Sequence, residues 1–388
     1  MSMLSIFNLA NNLSENVGGF GSVMSIAPHN FAGGLDEAAS ECNFTIMHEA
    51  AAFMEYRSVS DDIMTEAAMS SDPSRLLVLT ESVLSSLKEK AKAIINKAIA
   101  MLKGMAEKVK IFFLRFTRKT KDWAKAMRPR IDAASKRTGI SKLTFEMHNW
   151  NIGYVTDTIP KATKAVMGGF NEDFAAAKAK DAIDTVTALK PTDTLDNKGG
   201  DDPTTQTAVN ALKDATEKLK PKIESYKESE FKRLKAVLQV GGTANDMEGL
   251  YRDITDKANG GEVTTINLQE YGVDNMMNAV ENSAKVISDM ESTYTAAIRE
   301  LGDLKKKIDS EFNEGAKVDE NLKHLPNNVT SAYSTYLTTY TQLITTGVST
   351  RISVLTGLQG RSKAYIESMV TDFSKALTKY SNFKEKAE

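Results

Sequence analysis

The sequence is poor in the residues that most chemistry needs. Its 388 residues include one cysteine, Cys42, which excludes an internal disulfide framework and a thiolate zinc cluster. A lone cysteine of this kind reads as a small core residue rather than a nucleophile. The four histidines, His29, His48, His148 and His324, lie far apart, and none has a metal-type partner four residues on. The glycine run Gly18-Gly19-Phe20-Gly21 lacks the lysine and the flanking strand of a phosphate-binding loop. Acidic pairs such as Asp61/Asp62 and Asp201/Asp202 read as solvated charges. No catalytic centre, cofactor, metal or small-molecule substrate is therefore expected. No run of about 18 apolar residues exists, so no transmembrane helix is expected. Met1 to Pro28 has no basic start and no continuous apolar core, so no secretory signal is expected either. The setting that fits is a reducing cytoplasm, or a particle assembled inside one.

Proline is also scarce, eight in all, and its placement is informative. Helical periodicity fills the space between a few punctuated loops. A first helix is predicted over Leu35 to Met69, after a glycine-rich arm. Asp72-Pro73 then reads as a helix start, with Asp72 as cap and Pro73 in the first turn. From there to Pro129 the one glycine is Gly104. Leu84, Leu87, Ala91, Ile94, Ala98, Met101 and Met105 keep a 3–4 spacing, and Val109, Phe112 and Phe116 continue it. A helix of some 50 residues, about 75 Å long, follows from the standard rise.

The stretch Arg137 to Pro160 breaks the pattern and predicts a corner with a little strand. Shorter helices are expected over Lys161–Met167 and Asn171–Leu189, and Lys190 to Gln206 is the clearest loop. Beyond it, helices are expected over Thr207–Val240, with a bend at Pro221, and over Asn245–Lys257. The alternation Val263 to Leu268 predicts one strand arm or hairpin half. A long helix over Val273–Phe312 carries Val280, Ser283, Ile287, Met290, Tyr294, Ala297, Leu301, Leu304 and Ile308 at heptad spacing. A turn bracketed by Gly315 and Pro326 leads to a last helix over Val329–Phe383, capped by Asn327 or Asn328. Gly347, Gly357 and Gly360 predict a kink or break in its middle. The fold expected is mainly all-α, an elongated antiparallel helical bundle with at most a small β element. Its regions would be an acidic arm and helix (1–72), a basic long-helix region (73–190), a linker (191–206) and a C-terminal helical region (207–388).

Charge is nearly balanced overall, at −2, yet strongly segregated. Residues 1–87 hold eleven acidic and two basic side chains, and residues 88–138 hold four acidic and sixteen basic. The basic block offers Lys103, Lys108, Lys110, Arg115, Arg118, Lys119, Lys121, Arg128 and Arg130 as candidates for contact with nonspecific DNA or an acidic partner. The same block reads otherwise as a membrane-surface helix, or simply as the solvated face of a bundle helix. The acidic N-terminal residues could also neutralise it within one molecule. Between Lys323 and Arg361 the one formal charge is Arg351, amid many Thr, Ser and Tyr. That neutrality predicts a bundle or subunit interface, with Tyr333, Tyr336, Tyr340 and Leu343 at its centre.

An acidic segment, ASECNFTIMHEAAAFMEYRSVSDDIMTEAAM, precedes a basic amphipathic one, SLKEKAKAIINKAIAMLKGMAEKVKIFFLRF. This order resembles the internal head or virion structural proteins of large tailed bacteriophages, over about the first third of the chain. The resemblance implies packaging beside DNA or self-assembly with other virion proteins. It also implies removal of a propeptide after a glutamate, for which Glu49, Glu66 and Glu81 qualify. The function expected is thus a non-enzymatic structural or interaction protein of a phage particle. The alternatives are a membrane-active, pore-forming-like helical protein and a cytoplasmic coiled-coil adaptor.

Overall fold

The computed structural model describes residues 73–166, 168, 184, 186, 188–189, 203–240, 246–322 and 325–384, with 73–88 and 311–322 among those described by backbone alone. The helix expected over 35–69 lies outside these residues, as do Glu49 and Glu66, and most of the helix expected over 171–189. In chain order the elements are α1 (Pro73–Ala134), β1 (Thr144–Met147), α2 (Ile159–Ala165), α3 (Pro203–Val237), α4 (Met247–Asn259), β2 (Thr264–Asn267), α5 (Leu268–Tyr271), α6 (Val273–Leu322) and α7 (Asn327–Ser381). The fold is mainly all-α, as the periodicity predicts.

Three long rods set the architecture. α1 is a 62-residue helix, about 93 Å long, and it accommodates Pro129 in its last turns. It runs against α6: Lys92 pairs with Asp309 at 2.6 Å, Lys305 donates to Asn96 at 2.9 Å, and Arg128 meets Glu281 at 2.8 Å. Rising numbers on one helix meet falling numbers on the other. Just past α1, the Arg137 guanidinium donates to the carbonyls of Ser381 and Phe383 at the far end of α7. So α1 and α7 point the same way, and α6 opposes both.

The seams fill a single hydrophobic cluster. Every position of the α6 heptad read from the sequence, Val280 to Ile308, is buried. Even Ser283 is, its hydroxyl donating to the Val280 carbonyl. On α1 the buried row is Ile95, Ala98, Leu102, Met105 and Val109, so Ile95 and Leu102 belong to the seam although the strict spacing passes them over.

The corner between α1 and α2 holds the strand expected there. β1 pairs antiparallel with β2, Thr144 opposite Asn267 and Met147 opposite Thr264. The strand arm at 264–267 is thus not half of a local hairpin: its partner lies about 120 residues earlier, and together they pin the start of α6 to the end of α1. Trp150 Nε1 donates to Asp372 at 2.8 Å, tying the same corner to α7.

The helices depart from the expected pattern in several details. α3 begins at Pro203, so the last residues of the expected loop are its first turn, where a proline suits the free N–H positions. α6 runs on through Gly315 to Leu322, since a single helical glycine costs only about 1 kcal/mol. The expected kink in α7 is not a break: the helix is continuous over 55 residues. The start of α7 has no side-chain cap from Pro326, the residue before its first turn; Asn327 and Asn328 are already helical, and the Asn328 side chain accepts from the adjacent Val329 N–H.

Candidate interaction surface

The basic block stands on α1, whose inward face is fixed by the buried row from Ile95 to Ala134. With 3.6 residues per turn, Lys103, Lys110 and Lys121 fall on one flank and Lys119 and Arg130 on the other. Arg118 and Lys125 point nearly straight out. All seven are exposed. Lys103, Lys110, Lys121, Lys125 and Arg130 make no ion pair among the described residues, while Arg118 reaches Asp122 only at 4.0 Å, with both side chains in water. The backbones of Lys108 and Arg115 lie in the same stretch; their side chains are outside the description.

Arg128 is different. Its guanidinium holds Glu281 with two bonds, at 2.8 and 3.0 Å, and donates to Asn278 at 3.2 Å. This pairing raises Arg128 and lowers Glu281 from their ordinary pKa values, the hydrogen bond being the larger cause in each. It is a tether between α1 and α6, and its charge is largely spent within the fold.

Two aliphatic side chains sit on the same outward side of α1: Ile111 is 54% exposed and Leu114 is 61% exposed. They are three residues apart, hence neighbours on the surface. Glycine at 104 leaves open space beside the same face. The sequence carried a sign of this, because neither residue fits the stripe through Val109, Phe112 and Phe116.

The neutral stretch of α7 lies in the bundle's own interior. Tyr333, Tyr336, Tyr340 and Leu343 are buried within this one chain, with the rings of Tyr336 and Tyr340 stacked 6.1 Å apart. Their neutrality therefore needs no second subunit to explain it. The hydroxyls are buried cheaply because the helix satisfies them itself. Thr339, Thr341 and Thr345 each donate to the carbonyl four residues back, at 2.8–2.9 Å.

Arg351, the one charge in that stretch, is at the centre of a buried polar clamp. Its Nη2 donates to Glu230 Oε1 at 3.0 Å and its Nε to the Tyr226 hydroxyl at 2.8 Å. Its Nη1 donates to the carbonyls of Gly168 and Val166, at 2.9 and 3.2 Å. The other oxygen of Glu230 accepts from Arg233 at 2.8 Å, and Arg233 also donates to the carbonyls of Ala165 and Val166. Two guanidinium charges thus face one carboxylate and the free carbonyls ending α2, the negative end of that helix. Sequence reading singles out Arg351 but not Glu230 or Arg233, which sit in a run of charges that looks solvated.

Other buried charges are paired locally. The Arg361 guanidinium lies 3.6 Å from the centre of the Tyr251 ring, and Lys363 bonds Glu367 at 3.2 Å. A shallow cleft beside Arg137, Ser381, Asn382 and Lys384 is open to water, and its arginine is already committed to backbone carbonyls. Among the described residues no group of three or more His, Cys, Asp or Glu is placed to hold a metal ion, and no helix is long and apolar enough to cross a membrane. Glu81 lies within α1, so its peptide bond with Ser82 is helical. No protein-family model matches the chain, and no curated protein or solved structure is significantly similar to it.

Proposed function

We propose that the protein is a non-enzymatic structural and interaction protein, a rigid helical bundle that presents the outward face of α1 to an acidic protein helix. The observation that carries this reading is the exposed pair Ile111 and Leu114 set among unpaired lysines. Cations alone suit any polyanion. Cations around two water-facing aliphatics suit an acidic amphipathic helix, which offers carboxylates and apolar area together. In this reading the setting is a phage particle, on the strength of the resemblance of the first third of the chain to internal head proteins.

The test uses the full chain with the eight carboxylates of residues 36–66 made amides, so that its own acidic segment does not compete. A fluorescent peptide of residues 36–66 serves as the acidic helix. Micromolar binding that falls at least about tenfold with Ile111→Ser/Leu114→Ser supports the reading. Binding indifferent to that pair overturns it. Duplex DNA is the second reading, favoured by the sixteen basic residues of 88–138. Its signature is tight binding of a 20-base-pair duplex that weakens steeply with salt and is lost when Lys108, Lys110, Arg115 and Arg118 are neutralised.

A further inference from the structure

We propose that the first occupant of this face is the chain's own acidic segment, residues 36–66, so that the intact molecule covers its own binding surface. The inference rests on the reading of α1 just given. Charge complementarity is its first support. Residues 36–66 hold eight carboxylates against Arg57 alone, together with Phe44, Ile46, Phe53, Met54 and Ile63 to meet Ile111 and Leu114. Reach is its second. Leu114 lies 41 residues into α1, about 62 Å from Pro73 at the helical rise. About 19 residues of extended chain cover that distance, so an extended return from Pro73 brings residues near 54, inside the acidic segment, level with Leu114.

The covalent link strengthens a weak contact. A tethered segment meets its site at an effective concentration in the millimolar range, so an intrinsically micromolar contact stays closed.

Cys42, the sole cysteine, lies inside the segment and gives a specific probe. The full chain, labelled there with a maleimide benzophenone and irradiated at low salt, should crosslink to α1 between Lys103 and Lys125. Those crosslinks should vanish in 1 M salt (where the Debye length is ~3 Å) and in Lys103→Glu/Lys110→Glu/Arg118→Glu/Lys121→Glu. Crosslinks elsewhere, or crosslinks that join two copies when isotope-labelled and unlabelled chains are mixed, overturn the inference. The added 36–66 peptide separates its failure from failure of the parent reading. Binding at least about tenfold tighter to the amide variant than to the native chain supports covering. Equal binding to both keeps the surface but removes the cover. Binding to neither removes both.

Discussion

α1 and α7 are rods of similar length, 62 and 55 residues, that use their circumferences in opposite ways. Between Lys103 and Arg130, α1 buries one stripe and holds lysine and arginine side chains in water on the face opposite. α7 is buried on most sides between residues 329 and 377, and packs against α1, α3 and α6. The difference follows from what each side chain costs to bury. A lysine on α1 would lose several kcal/mol of solvation in the core, whereas a threonine on α7 keeps its hydrogen bond by turning back on its own helix. A charge-poor, hydroxyl-rich helix is therefore an interior element, and a helix with a dense cationic face is a surface one.

The comparison breaks first at Arg351. Arg351→Ala leaves Glu230 Oε1 and the carbonyls of Val166 and Gly168 without their buried donor, with Arg233 still holding Glu230 Oε2, and should lower stability by about 2–3 kcal/mol in urea denaturation. The double change Arg351→Met/Glu230→Leu should recover much of that loss. A single change costing under about 1 kcal/mol would mean that the clamp is not closed in solution.

A charge placed on the two helices sharpens it next. Thr341→Asp puts an unpaired carboxylate at a fully buried site and should cost at least about 3 kcal/mol, while Thr341→Val should cost under about 1.5 kcal/mol. Ile111→Asp on α1, made in the chain whose 36–66 carboxylates are amides, should leave the unfolding free energy within about 0.5 kcal/mol of that chain's value.

Tyrosines embedded near α7 make the interior sensitive to alkali. Burial pushes the Tyr251 hydroxyl up to about 12, against a small opposing pull from Arg361, and pushes Tyr271 up to about 12. The neutral phenol is the buried form, so its contribution is complete below about pH 10 and is lost as pH rises toward 12. Tyr251→Phe should flatten that part of the alkaline unfolding curve. An unchanged curve would remove Tyr251 as its cause.

The smallest effect is expected at the α1–α6 tether. Arg128→Ala should cost about 0.5–1 kcal/mol, since the pair is partly in water. Glu281 is held below the usual carboxylate range by Arg128. The tether's contribution is thus present above about pH 4.5 and fades as pH falls further. Denaturation midpoints at pH 7 and pH 3 should differ less in the variant than in the native chain.

Much of this architecture was legible because long helices advertise their seams. The α6 heptad could be read residue by residue, as could the buried tyrosines of α7, since one spacing repeats over many turns. What escaped reading depended on contacts between distant segments. The strand at 264–267 looks like a local arm because its partner at 144–147 is remote. Glu230 looks solvated because burial comes from α7 and from the carbonyls after α2. On α1, Ile111 and Leu114 stand off the stripe in plain view, but only the fold shows that nothing within the described residues covers them.

The most direct test sets affinity against stability in one pair of substitutions. Ile111→Asp/Leu114→Asp, made in the chain whose 36–66 carboxylates are amides, should leave the urea midpoint unchanged. It should also weaken binding of the acidic 36–66 peptide at least about tenfold. A lowered midpoint with unchanged affinity would contradict the account, because it would place those two side chains inside the bundle rather than on its binding face.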